Sequence, residues 1–305
     1  LKYDRTLGVQ LDVAAFLNIG SDHISPVEHP TFEDYFASKL RIFSQCHRAV
    51  VNLGTSNLER VLDAAHRGAA GDGHDAPELV CVSAAGPEAV ECGSCDMVFP
   101  DIWATDVEPR GASLAFVAHG TTADGHPTSD PAEKAWELPV AIACAELLGI
   151  DRAFIAQGLA SCRVPGRMEL IGKPESQVLC VVDYAHNALS YQKFFASMAK
   201  EFPGRRIVAL IGAPGGKAYE RRVELPREAA RWASHIVVAE EDPAHDSNEG
   251  ICREMDANVP ADATLADGTP VTHEYVLDRQ QAVARCLDVA LSYGQPALVC
   301  LLGKG

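Results

Sequence analysis

The sequence lacks the loop that most often cradles a nucleotide triphosphate. Gly212-Ala-Pro-Gly-Gly-Lys217 has three residues between Gly212 and Gly216, and Ala218 follows the lysine. A Walker A loop needs four residues there and a Ser or Thr after the Lys. No Gly-x-Gly-x-x-Gly follows a strand-like run, which leaves a nicotinamide-dinucleotide reading without support. A Gly-x-Ser-x-Gly nucleophile elbow is absent too. No apolar run approaches the ~20 residues of a membrane-spanning helix. Basic residues are scarce: 26 Lys and Arg stand against 42 Asp and Glu, a net charge of −16. That balance argues against nucleic acid or an anionic membrane as the partner. The opening residues, Leu1-Lys2-Tyr3-Asp4, hold no apolar core of a signal peptide, so none is expected. Internal repeats and low-complexity tracts are also missing.

What remains is an ordinary globular composition. Over 305 residues, 47% are hydrophobic and 22% charged, and the length suggests two domains. The acid is uneven: residues 1–165 carry a net −12 and residues 166–305 a net −4. Basic contacts to an anionic ligand are therefore expected from the second half. The ten cysteines are scattered. Cys180 and Cys300 sit inside apolar runs, where cysteine acts as a small hydrophobe. This usage points to a reduced, cytoplasmic chain rather than a disulfide scaffold.

Residues 12–18 form an apolar run that predicts a buried strand, emptying into the loop Ile19-Gly-Ser-Asp-His-Ile24. Thr31-Phe-Glu-Asp34 has the form of a capping box, and Phe32, Phe36, Leu40 and Phe43 give the following helix an apolar stripe. Residues 47–52, 79–83, 97–99 and 113–117 predict strands, and 68–78 a loop. Asp130-Pro131 predicts the start of a helix ending near Gly149. From about residue 164 strands and helices alternate: strands at 178–182, 206–211, 235–240 and 297–302, helices at 188–202, 224–233, 248–256 and 279–293. That alternation predicts a mainly parallel α/β sheet. Ligands of such sheets sit beyond the carboxyl ends of the strands. Three polar clusters fall at such ends: Asp183-Tyr-Ala-His186, Gly212–Lys217 and Glu240-Glu-Asp-Pro243.

Four constellations could carry chemistry. Asp22-His23 could ligate a metal, with Lys39 on the following helix reaching the same space, its amine open to modification by carbon dioxide. The plain alternative is a loop histidine and a surface lysine with no shared role. In Arg163-Val-Pro-Gly-Arg-Met-Glu169, Arg167 offers a fork that fits phosphate oxygens, or the segment is only an interdomain turn. Asp183 and His186 stand where ligand contacts belong, or form a loop hydrogen-bond pair. Cys92-Gly-Ser-Cys95, with Cys81 nearby, could be a redox pair or half a zinc site. His74, His119 and His126 complete no standard zinc spacing, which favours a turn with free thiols.

Together these segments resemble the Mur ligase superfamily, and within it the branch of UDP-N-acetylmuramyl-tripeptide synthetases. The resemblance rests on Asn18-Ile-Gly-Ser-Asp-His23, Phe32–Lys39, Val164-Pro-Gly-Arg-Met-Glu169, Val182-Asp-Tyr-Ala-His186, Glu241-Asp-Pro-Ala244, Asp278-Arg279 and Leu302-Gly-Lys-Gly305, in that order across nearly the whole chain. It implies the later part of a central ATPase domain over 1–165, with a mixed sheet and helices. A Rossmann-like ligase domain with a mainly parallel sheet follows over 166–305. It also implies that the nucleotide-phosphate loop and the UDP-substrate domain lie upstream, leaving this chain an inactive fragment. The implied reaction is ATP-driven amide synthesis. A substrate carboxylate takes the γ-phosphoryl group to give an acyl phosphate, and an amino group then displaces phosphate from the acyl carbon. Phosphoryl transfer of this kind depends on positioned cations and magnesium.

By resemblance, His23 and a carbamylated Lys39 serve magnesium and catalysis, and Arg167, Asp183 and His186 contact ATP. Lys217, Arg221, Arg222, Asp242, His245, Asp246 and Gly303 line the substrate site. The partners are a UDP-N-acetylmuramyl-dipeptide-like acceptor and an amino acid. Diaminopimelate-adding relatives carry Asp-Asn-Pro-Arg where this chain has Glu241-Asp-Pro-Ala244. The missing Arg and the nearby acids point to lysine. The expected helix 130–149 lacks the Asn residues that often contact adenine. A polyglutamate-type or cyanophycin-type ligase, a non-catalytic ligase-like module and a zinc-ribbon module around Cys92 and Cys95 are the alternatives.

Overall fold

The computed structural model describes residues 6, 8–20, 29–68, 76–93, 96–110, 113–121, 127–133, 138–173 and 175–304. The chain divides into two compact units, with Pro30–Cys162 in the first and Arg163–Gly305 in the second.

The first unit is built on a six-stranded sheet. Its elements run β1 (Leu11–Phe16), α1 (Phe32–Leu40), a 3-10 turn (Arg41–Gln45), β2 (Cys46–Asn52), α2 (Leu58–Arg67), β3 (Glu78–Ser83), the hairpin β4 (Val90–Cys92) and β5 (Asp96–Val98), β6 (Ile102–Arg110), β7 (Ser113–Thr121), β8 (Pro127–Glu133), α3 (Leu138–Leu147) and α4 (Arg152–Ser161). The sheet order is β1-β2-β3-β6-β7-β8. The first four strands are parallel, while β7 and β8 are added antiparallel. Helix α1 begins as expected: the Thr31 side chain accepts a hydrogen bond from the Asp34 amide at 3.2 Å. Its apolar stripe turns inward. Phe36 and Phe43 are fully buried and pack on Phe16, with ring centroids 6.4 and 6.1 Å away. Burying one such ring contributes about 1.5–3 kcal/mol.

The helix expected from Asp130 starts later. Residues 127–133 are the edge strand β8, in register with β7 so that Ala118 faces Asp130. A proline such as Pro131 is tolerated on an edge strand because no further neighbour needs its missing N–H. Among the described residues, helix α3 then covers Leu138–Leu147. Its stop at Gly149 stands, with that residue at φ +76° and its amide donating to the Glu146 carbonyl.

After the short strand β9 (Glu169–Ile171), the second unit alternates strand and helix: β10 (Val178–Asp183), α5 (Ala188–Glu201), β11 (Arg206–Ile211), α6 (Arg221–Ala229), β12 (His235–Val238), α7 (Asn248–Ala257), β13 (Thr272–Tyr275), α8 (Arg279–Ser292) and β14 (Ala297–Leu302). The order is β13-β12-β11-β14-β10-β9, parallel except for the edge strand β9. Apolar residues cover both faces. Ile207, Ala209 and Ile211 pack with Leu179, Tyr191 and Phe195 on one side, and Val208 and Leu210 pack with Ala282 and Cys286 on the other. Burial on both faces explains why these strands read as continuous apolar runs rather than alternating ones.

Candidate functional site

Four adjacent parallel strands, β10, β14, β11 and β12, end on one edge of the second unit's sheet. The residues that follow them form the candidate site.

Beyond β10, Asp183 acts on the backbone. Its Oδ2 accepts the Met168 amide at 2.9 Å and its Oδ1 the Ala185 amide at 2.7 Å. This ties the Val164–Glu169 turn to the end of the strand. On that turn the exposed Arg167 lays its guanidinium over the Tyr184 ring, 4.3 Å from the centroid. The His186 ring is tilted against the same tyrosine at 4.7 Å, and its Nδ1 lies 2.6 Å from the Tyr184 carbonyl oxygen. Arg167, Asp183 and His186 are thus brought together.

Beyond β11 and β12, the loops 212–217 and 239–246 lie against each other. A side chain on Gly215 would overlap the Pro243 carbonyl oxygen, and one on Gly212 would stand 2.7 Å from the Ala239 oxygen. Close approach of two backbones therefore requires these glycines. The Gly215 amide donates to the Asp242 carbonyl at 2.8 Å and the Gly216 amide to Asp246 Oδ2 at 3.0 Å. Buried Arg222 donates to Asp246 at 2.6 Å and to Glu254 on α7 at 3.1 Å. The Gly216 amide and Arg222 hold the Asp246 carboxyl below the usual carboxylate range. Arg222 and Asp246 are thus engaged with one another and brace the two loops. Lys217 is half-buried and has no ion-pair partner among the described residues, while Asp242 and His245 are exposed.

A third group lies beneath these loops. Glu241 is 9% exposed, and its Oε2 lacks a hydrogen-bond partner among the described residues. A side chain added at Gly303 would come within 3.4 Å of that oxygen, so the carboxylate stands against the bare backbone at the end of β14. Burial pushes the Glu241 carboxyl up, against the pull of Arg221 and Arg279. The Tyr191 hydroxyl on α5 is buried without a hydrogen-bond partner among the described residues, and it feels Glu241, Arg279 and Arg221. Arg279 is anchored by the Glu240 and Leu302 carbonyls at 3.1 and 2.8 Å. Unpaired buried polar atoms are costly in a folded chain and therefore informative. Sequence reasoning passed over Glu241, Tyr191 and Arg279 as individual site residues. The available signal was the acidic residue directly after a buried strand end.

Three of the five non-glycine residues with left-handed backbone among the described residues lie here, the other two being Asn57 and Asp106 of the first unit. Met168, Ala218 and Ala244 have φ of +47°, +49° and +49°. Each costs on the order of 1 kcal/mol for a residue with a side chain, and such positions concentrate at ligand-binding loops.

The first unit shows less. Lys39 is exposed on α1, with its ammonium 5.2 Å from the Tyr35 ring centroid. His23, Asp22, His74, His126 and Cys95 lie outside the described residues. Among the described residues no group of three His, Cys, Asp or Glu side chains could hold a metal. The Lys39 ammonium over the Tyr35 ring is no metal ligand; only as a carbamate would this side chain offer oxygens to magnesium. Cys81 is buried, and burial, Asp101 and Cys92 push its thiol up to about 12. That is the behaviour of an inert structural thiol. The His119 Nε2 lies 2.8 Å from the Thr105 hydroxyl, and its ring stacks on Trp103.

Comparison with known proteins places these features in context. Residues 166–305 match the family model described as Mur ligase, glutamate ligase domain, and residues 1–71 match the Mur ligase middle domain. The UDP-N-acetylmuramyl-tripeptide synthetase of Bifidobacterium longum is 33% identical over 313 residues, spanning 100% of this chain and 56% of that protein. The UDP-N-acetylmuramoyl-L-alanyl-D-glutamate–L-lysine ligase of Enterococcus faecalis is 31% identical over 304 residues, spanning 100% of this chain and 55% of that one. The chain therefore spans just over half the length of these relatives. Among solved structures, folylpolyglutamate synthase of Mycobacterium tuberculosis, complexed with ADP and AMPPCP, aligns with a TM-score of 0.67 at 14% identity over 96% of this chain and 61% of that one. MurF of Acinetobacter baumannii aligns at 0.61 and 18% identity over 96% and 57%. These likenesses show the fold.

Proposed function

The chain belongs to the Mur ligase family, and from that premise we propose that it is part of an ATP-dependent ligase that adds lysine to a UDP-N-acetylmuramyl dipeptide. The observation that carries this reading is Glu241: a buried carboxylate set against Gly303, with no arginine at position 244. A buried carboxylate without an arginine at 244 suits an amino acid that carries an extra ammonium. An arginine at 244 would instead suit a second carboxylate.

In this reading Arg167 and His186 face the phosphates of ATP, and Asp183 holds both from behind through the Met168 and Ala185 amides. Lys217 and Arg221 receive the carboxylate of the incoming amino acid. Asp242, His245 and Gly303 line the path to Glu241, and the Arg222–Asp246 pair keeps that wall closed. The acceptor carboxylate attacks the γ-phosphorus and ADP leaves. The amine then attacks the acyl carbon, phosphate departs, and an amide remains. Bound magnesium would neutralise charge on the transferring phosphoryl group, and His23 and a carbamylated Lys39 are its proposed holders.

Because the sequence contains no Walker A loop, the 305-residue chain alone is expected to turn over no ATP, and the activity belongs to the longer enzyme. The assay is ADP release by that enzyme. Release that requires both the dipeptide acceptor and lysine supports the reading. Release with a glutamate acceptor instead would favour a polyglutamate-type ligase. No release with any acceptor would favour a binding module.

A further inference from the structure

Tyr184 is 40% exposed, at the edge of the sheet, where an aromatic ring gains little from burial. It is nevertheless in contact with two of the site's candidate ligand groups. The Arg167 guanidinium lies 4.3 Å from its centroid and the His186 ring 4.7 Å, tilted by 60°. Its carbonyl oxygen is 2.6 Å from His186 Nδ1. A carbonyl can only accept, so Nδ1 carries the proton, and Nε2 donates to an oxyanion once the ring takes up a second proton. Beneath the ring, Asp183 fixes the backbone on both sides through the Met168 and Ala185 amides. The backbone is thus held by a carboxylate, and the two side chains by one tyrosine.

We propose that Tyr184 is a positioning residue: its ring and carbonyl hold Arg167 and His186 as one pair that receives a phosphate oxyanion. Arg167 is on an exposed turn and would otherwise sample many rotamers, and ordering a long side chain at the moment of binding weakens affinity. A cation over an exposed ring is stabilised enough to bias that population about two- to fivefold. The inference rests on the nucleotide reading above for its ligand, though not for its geometry.

The test uses the longer enzyme proposed above, which would supply the nucleotide-phosphate loop, with ADP as the probe. His186 nitrogen shifts are read by NMR, and affinity is read by titration. Tyr184→Phe keeps the ring and the carbonyl and should leave both readouts as in the unmutated chain. Tyr184→Leu removes the aromatic face. It should blur the Nδ1-protonated pattern of His186 into averaged tautomers and weaken ADP binding about fivefold. The thermal midpoint, measured alongside, should not change, because the ring is half-exposed. A Tyr184→Leu chain that keeps the original nitrogen shifts, or the original affinity, overturns the proposal. If the unmutated chain does not respond to ADP, the nucleotide reading falls, and the nitrogen shifts alone decide the role of Tyr184.

Discussion

Two neighbouring glycines in the site should respond very differently to the same added methyl group. Gly216 has φ +70° and, among the described residues, open space where a Cβ would stand, so Gly216→Ala meets only backbone strain. That costs about 1 kcal/mol. Its amide bond to Asp246 can persist. Gly215 has no such φ, yet a Cβ there would overlap the Pro243 carbonyl oxygen. The two loops would have to part. Parting them lengthens the 2.8 Å bond from the Gly215 amide to the Asp242 carbonyl and the 3.0 Å bond from Gly216 to Asp246. It also separates Asp246 from Arg222, which is 8% exposed. A neutral hydrogen bond contributes about 1 kcal/mol and one to a charged group about 1.5–3 kcal/mol. Gly215→Ala should therefore cost about 3 kcal/mol or more, about 2 kcal/mol beyond its neighbour. Urea unfolding followed by the fluorescence of Trp232, on the second unit, gives both numbers. Equal losses, or a larger loss for Gly216→Ala, would refute the account of two loops in backbone contact.

Other consequences follow from the same loops and the buried acid. Ala244→Gly relieves a left-handed backbone and should stabilise the chain by about 1 kcal/mol, read as a rise in the urea midpoint; a fall would mean that the strain is not there. Glu241 has its folded pKa raised by burial, so its contribution to stability is fully present below the ordinary Glu value and is lost as pH rises through the folded value. Glu241→Gln should therefore flatten the pH–stability curve above about pH 4.3, the ordinary Glu value; a variant curve parallel to the original would contradict this. Exposed Cys162 should react with a thiol reagent far faster than Cys81, Cys252, Cys286 or Cys300, all buried, with thiols pushed up by burial; mass mapping of early adducts on any of those four would refute their burial.

The second unit was the more legible of the two in the sequence. Strands β10, β11 and β14 are buried on both faces, so their composition alone marks them, and the helices between them carry side-chain caps such as Asn187 and Asp278. Helix α2 gave no such signal. Its N-cap Asn57 is left-handed and makes no side-chain cap bond. Strand β13, Thr272–Tyr275, is a short edge strand with a polar sequence and no apolar run to reveal it. Strand β8 is hidden because Asp130-Pro131 suits a helix start, whereas antiparallel pairing with β7 decides the outcome. In the site, the strand-end clusters were visible as positions but not as roles. Arg222 finds Asp246 and Glu254, 24 and 32 residues away. Glu241 stands against the backbone of Gly303, which lies far along the chain.

The most direct test is product analysis on the longer enzyme. UDP-N-acetylmuramyl dipeptide, ATP and an equimolar mixture of lysine and diaminopimelate are supplied, and the product is weighed by mass spectrometry. The account predicts the lysine-bearing tripeptide, with Ala244→Arg moving the product toward diaminopimelate. A product bearing diaminopimelate from the unmutated enzyme, or lysine incorporation unchanged by Glu241→Gln, would contradict it.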